Sequence, residues 1–114
     1  MEFIIPTAEL EELGALLDNK QLEPLRDKYE GARRTKLPLS RYTSRTWLFP
    51  FGTHPSPTRP VEVFRNGMIQ FMDHEVTLFR VGKQHPITVV VFFQETKEQD
   101  LVQATYLAVP SRMV

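Results

Sequence analysis

The stretch "ITVVVFF" (residues 87–93) constrains the fold of this 114-residue chain more than any other. All of its residues are β-branched or aromatic and none is charged, which is typical of a β-strand. Successive residues of a strand point to opposite faces, so this strand carries apolar side chains on both. An exposed edge of this composition would aggregate, and we therefore predict that the strand is internal to a sheet or otherwise paired.

A β-hairpin is predicted for "VEVFRNGMIQFM" (61–72), where two β-type runs are joined by Asn66-Gly67. Both central residues of a type I′ turn need a positive φ, which Asn and Gly tolerate best. A two-residue loop also fixes the register of the two strands. The predicted cross-strand pairs are Arg65–Met68, Phe64–Ile69 and Glu62–Phe71.

Two further strands are predicted at "VTLFRV" (76–81) and "LVQATYLAV" (101–109). Short loops between strands favour antiparallel neighbours, so the sequence predicts a meander of five strands. The run "RTWLFPF" (45–51) adds a sixth strand at an edge, where Pro50 limits its length.

Two short helices are predicted before the sheet, over residues 8–18 and 22–30. Leucines recur at helical spacing in the first, Thr7 can cap it, and Pro24 suits the first turn of the second. Gly14 lowers helix stability by about 1 kcal/mol relative to Ala, which indicates a close backbone contact. The predicted fold class is α+β, with two short N-terminal helices packed on a curved five- to six-stranded antiparallel β-meander.

The predicted sheet needs a cover on its second face, because strands 87–93 and 101–109 are apolar on both sides. Three alternatives stay open at this stage. The sheet curls into a half-closed barrel, the segment 33–60 covers it, or a partner chain does.

Charge is neutral overall but unevenly distributed along the chain. Residues 1–31 have a balance of −5, whereas residues 32–65 have a balance of +6. Length and composition predict a single domain, residues 1–114. We divide it into an acidic helical part (1–31), a basic connector rich in proline and aromatic residues (32–60) and an antiparallel sheet (61–114).

Several classes of protein are excluded by composition. The chain has no cysteine, which excludes disulfides, thiolate-bound zinc, iron–sulfur clusters and thiol catalysis. The start "MEFIIPTAELEE" lacks the basic and long apolar regions of a signal peptide, and no apolar run is long enough to span a membrane. No nucleotide-binding or catalytic motif is present. We therefore expect a soluble cytoplasmic protein with no cofactor, no bound metal and no membrane partner.

The basic connector combines arginines with aromatic residues. Cations neutralise phosphates and aromatic rings stack on bases, so this mixture is typical of single-strand and RNA binders. The alternative is that the arginines pair with the acidic helices and the aromatic rings fill the core. The predicted partner-binding residues are Arg33, Arg34, Arg41, Tyr42, Arg45, Trp47, Phe49 and Arg59.

Four prolines (Pro50, Pro55, Pro57 and Pro60) stiffen the second half of this connector. They favour extended or polyproline II backbone, which another protein can bind as a peptide-like ligand. The alternative, which we favour, is a rigid crossover that wraps the sheet.

The remaining polar candidates give weak signals. His54, His74 and His85 are predicted in surface turns, and neighbouring turn residues such as Asp73-His74 diverge too much to share a metal. Glu62 on the hairpin is a candidate general acid or base, but a salt bridge to Arg65 or another nearby base is the simpler interpretation.

Three functional hypotheses follow. We favour a small non-catalytic binding protein, of a regulatory, adaptor or inhibitor type, that contacts another protein and also forms homo-oligomers. The alternative is nucleic-acid binding through residues 33–59. The third is a small-ligand pocket or enzyme in the mouth of the curved sheet, with Glu62, His74 and Tyr42 as its polar residues.

Overall fold

The computed structural model describes residues 3–24, 26–27 and 32–110, and within them the chain forms one helix and nine strands. The helix is α1 (Thr7–Asp18). The strands are β1 (Arg33–Pro38), β2 (Ser40–Arg41), β3 (Thr46–Leu48), β4 (Thr53–Pro55), β5 (Glu62–Arg65), β6 (Met68–Gln70), β7 (Val76–Val81), β8 (Ile87–Phe92) and β9 (Val102–Pro110).

The strands form two antiparallel sheets. The first has the order β1-β9-β5-β6, and β4 pairs with the last residues of β9. The second has the order β2-β3-β8-β7. The described part of the chain is therefore mainly β with one helix.

The predicted strand positions are confirmed, but the predicted meander is wrong. All five strands form within two residues of their predicted bounds, and the hairpin has the predicted pairing of Arg65 with Met68. Its two loop residues have positive φ, 52° at Asn66 and 82° at Gly67. However, β6 and β7 lie in different sheets, and β9 pairs with β1, β4 and β5 instead of β8. Two stacked sheets bury the inner faces of both, which a single meander covered by short helices cannot do.

The second predicted helix is wrong for its described part. Residues 22–24 and 26–27 are not helical, and the other residues of the predicted span 22–30 lie outside the described residues. Arg26 instead forms a parallel bridge with Phe51, and the Asp27 N–H donates to the Phe51 carbonyl at 2.8 Å. This segment is extended because its backbone groups bond to a neighbouring chain segment instead of to each other.

The segment 32–60, predicted as a connector, contributes strands β1 to β4. β1 pairs along β9 on one side of the first sheet. β3 lies inside the second sheet between β2 and β8, so the edge position predicted for the strand in residues 45–51 is wrong. The residues that cover the predicted sheet are therefore themselves part of the sheets.

Two apolar clusters lie on either side of the second sheet. The first fills the space between the sheets and includes Trp47, Phe92 and Tyr106. The second lies between the second sheet and α1 and includes Leu13 and Val89. Every residue of β8 is buried and the strand pairs on both edges, which confirms its predicted internal position.

The C-terminal end of α1 is attached to the turn between β7 and β8. An alanine Cβ at Gly14 would lie 3.2 Å from the backbone nitrogen of Gly82, so the close contact predicted at Gly14 is confirmed. The Asp18 carboxylate accepts three backbone N–H groups of that turn, from Lys83, Gln84 and His85, at 2.8–3.1 Å. Within the described residues no helix is long and apolar enough to cross a membrane.

Candidate functional site

The predicted partner-binding residues do not form one surface. Arg33, Arg41 and Arg59 are exposed, whereas the other five are buried or half-buried. Those five are Arg34, Tyr42, Arg45, Trp47 and Phe49. Their role in binding a partner stays a prediction, but their positions show that most of them serve the fold.

Arg34 of β1 forms a buried polar group with Asp27 and Thr53. Its Nε and Nη2 donate to the two oxygens of Asp27, each at 2.7 Å, and the Thr53 hydroxyl donates to the same carboxylate at 2.9 Å. Both side chains of the ion pair are more than nine-tenths buried. Such bidentate pairs are strong and well oriented. Part of the basic charge of the segment is therefore neutralised inside the molecule by the acidic N-terminal part.

Burial raises the pKa of Tyr106, beside this group, to about 12, and the negative charge of Asp27 acts in the same direction. The Arg34 charge and the nearby Thr53 hydroxyl oppose the shift. No atom among the described residues meets hydrogen-bond geometry with the Tyr106 hydroxyl, which is buried. The phenol is therefore neutral at physiological pH. Its ring packs against Phe49, with the ring planes tilted by 60° and the centroids 5.1 Å apart.

Arg45 and Trp47 join the second sheet to neighbouring loops. Arg45 donates to the carbonyls of Phe92 and Ile4, both at 2.8 Å. The Trp47 indole N–H donates to the Thr96 hydroxyl at 3.1 Å, and its ring is 4% exposed. To stack on a nucleotide base, Trp47 would have to leave the core between the sheets.

An apolar surface covers part of the outer side of the first sheet. We call it the outer apolar face and define it by Phe64, Ile69, Phe71 and Leu101. Phe64 is opposite Ile69 in the hairpin, and strand alternation places Phe71 and Leu101 on the same side. Ile69, Phe71 and Leu101 are 47%, 62% and 50% exposed. Contiguous exposed apolar side chains of this kind mark interaction surfaces.

The hairpin that carries the outer apolar face is held at its turn. The Asp100 carboxylate accepts from the Arg65 guanidinium at 2.8 Å and from the Asn66 amide at 2.9 Å. Backbone donation from Lys97, followed by the bonds from these two side chains, lowers the pKa of Asp100 to about 2. At the other side Lys36 lies over the Phe64 ring, 5.2 Å from its centroid.

A cleft lies between the sheets at the end nearest β4. We call it the arginine cleft; it has a volume of about 460 Å³, with Arg59 and Arg80 at its rim and the Thr88 side chain within it. The residues predicted for a pocket in the mouth of the sheet, Glu62, His74 and Tyr42, do not line it. Glu62 instead forms an ion pair with Arg33, at 3.5 Å, which agrees with the predicted salt bridge to a nearby base.

His54 is buried in β4, so its predicted position in a surface turn is wrong. The side chain is 1% exposed, and its Nδ1 lies 2.8 Å from the Thr88 hydroxyl. Burial, followed by the positive charge of Arg80, lowers the pKa of His54 to about 4. His54 is therefore neutral at physiological pH. Pairing of β4 with the end of β9 buries this residue. Strand β4 was not predicted from the sequence, because the nearby Gly52 and Pro55 are of types that are uncommon in strands.

Two features of these surfaces were missed by sequence reasoning. Arg80 is twenty-one residues from Arg59 and lies outside the basic segment, so charge clustering along the chain could not associate them. The outer apolar face was predicted only in part, because the hairpin register paired Phe64 with Ile69 whereas Leu101 belonged to a different predicted strand. Across the described ranges 3–24, 26–27 and 32–110, no group of three or more His, Asp or Glu side chains is placed to hold a metal ion.

Comparison of the chain with protein-family models, with curated proteins and with solved structures found no significant match.

Proposed function

We propose that this protein is a small non-catalytic binding protein that acts through protein–protein contacts, and that the outer apolar face is its contact surface. The observation that carries the proposal is the exposure of Ile69, Phe71 and Leu101 on one face of the first sheet. The largest apolar patch of a monomeric protein is often functional. With side chains of about 200 Å² each, the exposed fractions of Ile69, Phe71 and Leu101 give roughly 300 Å² of apolar surface.

A second copy of the chain is the first partner that we propose. β6 is an edge strand, and in a two-residue hairpin the N–H and C=O of Ile69 point away from β5. The same strand of a second molecule can bond to these groups in antiparallel register, which is a self-complementary contact. The chain has no net charge, so overall repulsion between copies is small.

Such a dimer should be weak. Stable interfaces bury about 800 Å² per partner, which is more than the outer apolar face supplies alone. We therefore expect self-association that depends on concentration, and a contact that a larger protein partner could replace.

Sedimentation velocity over a concentration series tests this proposal with Ile69→Lys. The substitution introduces an ammonium group at the centre of the face, so we expect the variant to lose the self-association of the wild type. Ile4→Lys is the matched control, because Ile4 is 71% exposed and outside the sheets. The proposal fails if wild type and Ile69→Lys sediment alike as monomers and immobilised forms of both retain the same host proteins.

A further inference from the structure

We propose that the arginine cleft binds a small organic anion, a carboxylate or phosphate ester with an apolar body. This activity is separate from the protein contact proposed for the outer apolar face. The cleft lies between the segment 55–61 and strand β7, and its volume of about 460 Å³ suits a small ligand.

Charge is the first argument. Arg59 and Arg80 lie at the rim of the same cleft and both are exposed. Neither guanidinium has an acidic partner in the described part of the chain, in contrast to Arg33, Arg34 and Arg65, which each form an ion pair. Two cations with no counter-charge create a positive potential that favours an anion, and planar guanidinium groups match carboxylate and phosphate geometry.

Comparison with the other clefts of the molecule strengthens this argument. Three further clefts among the described residues each include at least one carboxylate, from Glu23, from Asp27, or from Glu11 and Asp18. The arginine cleft includes none. Its positive charge is therefore not balanced by its own lining.

The inner part of the cleft supplies hydroxyl groups. Ser56 and Thr88 line it and are 7% and 5% exposed. The Thr88 hydroxyl lies 2.8 Å from Nδ1 of the neutral His54. In the Nδ1–H tautomer His54 donates to Thr88, and the Thr88 hydroxyl hydrogen is then free to donate to an anion.

Apolar side chains form the remaining wall. Val61 and Leu78 line the cleft, and both also pack against the core between the sheets. A wall of this kind favours a ligand with an apolar group next to its charge, because burial of that group adds to the ionic contact. A bare inorganic ion uses the arginines but leaves this wall exposed to water.

Titration of the folded protein with phenyl phosphate, followed by amide chemical shifts, tests the proposal. We expect saturable shifts at Ser56, Arg80 and Thr88, with weaker binding of inorganic phosphate and no binding of phenol. Arg59→Gln and Arg80→Gln should each weaken phenyl phosphate binding by about tenfold or more, since a hydrogen bond to a charged group is lost. Lys97→Gln is the charge-matched control, because Lys97 is exposed and does not line the cleft.

Three outcomes would overturn the inference. One is the absence of saturable shifts at Ser56, Arg80 and Thr88. Another is an equal loss of affinity in Lys97→Gln, which would indicate general electrostatic attraction instead of a site. The third is equal affinity for inorganic phosphate, which would remove the role of the apolar wall. Unchanged shifts in the core strands of each variant show that the fold is retained.

Discussion

Protonation of His54 should destabilise the fold in a defined pH range. The pKa of this imidazole is lowered from 6.5 to about 4 by burial and, secondarily, by the charge of Arg80. Between these values the unfolded chain binds a proton that the folded chain does not. The contribution of the neutral His54 side chain to the free energy of unfolding is therefore complete above pH 6.5 and is lost as the pH falls toward 4. At about 1.36 kcal/mol per pKa unit, the loss amounts to about 3 kcal/mol.

Chemical denaturation at pH values between about 7 and 4.5 measures this effect. The His54→Asn variant keeps a polar group near Thr88 but cannot titrate, so its free energy of unfolding should change much less with pH in this range. His74→Asn, at an exposed turn residue, is the matched control and should follow the wild type. The pKa of Asp100 is lowered from 3.8 to about 2, so the stability that this carboxylate contributes is lost only below about pH 3.8, outside the range of the experiment. Equal pH dependence of His54→Asn and wild type would refute this reasoning.

Three further substitutions test contacts within the fold. Asp27→Asn should lower the free energy of unfolding by about 3–5 kcal/mol, because it leaves the buried Arg34 without its counter-charge; a loss below about 1 kcal/mol by denaturation contradicts this. Asp18→Asn should speed hydrogen exchange of the three turn amides that the carboxylate accepts, and unchanged protection would show that other contacts hold the turn. Gly14→Ala should not give the gain of about 1 kcal/mol expected in a free helix, because its Cβ meets the Gly82 backbone; a full gain in thermal stability would contradict the contact.

The strands could be predicted from sequence because their signals are local. The composition of β8 and the Asn66-Gly67 loop each depend on residues that are adjacent in the chain. The apolar composition of β8 also predicted that both faces of this strand are covered. In the structure α1 covers one face and the first sheet covers the other. Local patterns of this kind specify where a strand lies and which faces are apolar.

The pairing of strands could not be predicted from the same signals. β9 has two available edges, and β1 occupies one while β4 and β5 share the other. The chain reaches this arrangement by crossing into the second sheet between β6 and β7 and back into the first sheet between β8 and β9. A short polar loop is equally compatible with a hairpin and with such a crossing, so loop length alone favoured the wrong topology.

Charge patterning along the chain does not show which arginines have a counter-charge in the fold, for a related reason. The density of arginines between residues 33 and 59 is a property of the sequence, but the fold separates these arginines. Arg34 points inward and binds Asp27, whereas Arg59 lines the same cleft as Arg80 of β7. Neutralisation depends on which carboxylates the fold brings close, and the acidic N-terminal part reaches one of these arginines but not the other. A pair such as Arg59 and Arg80, which line one cleft that includes no carboxylate, can therefore be recognised only after the strands are placed.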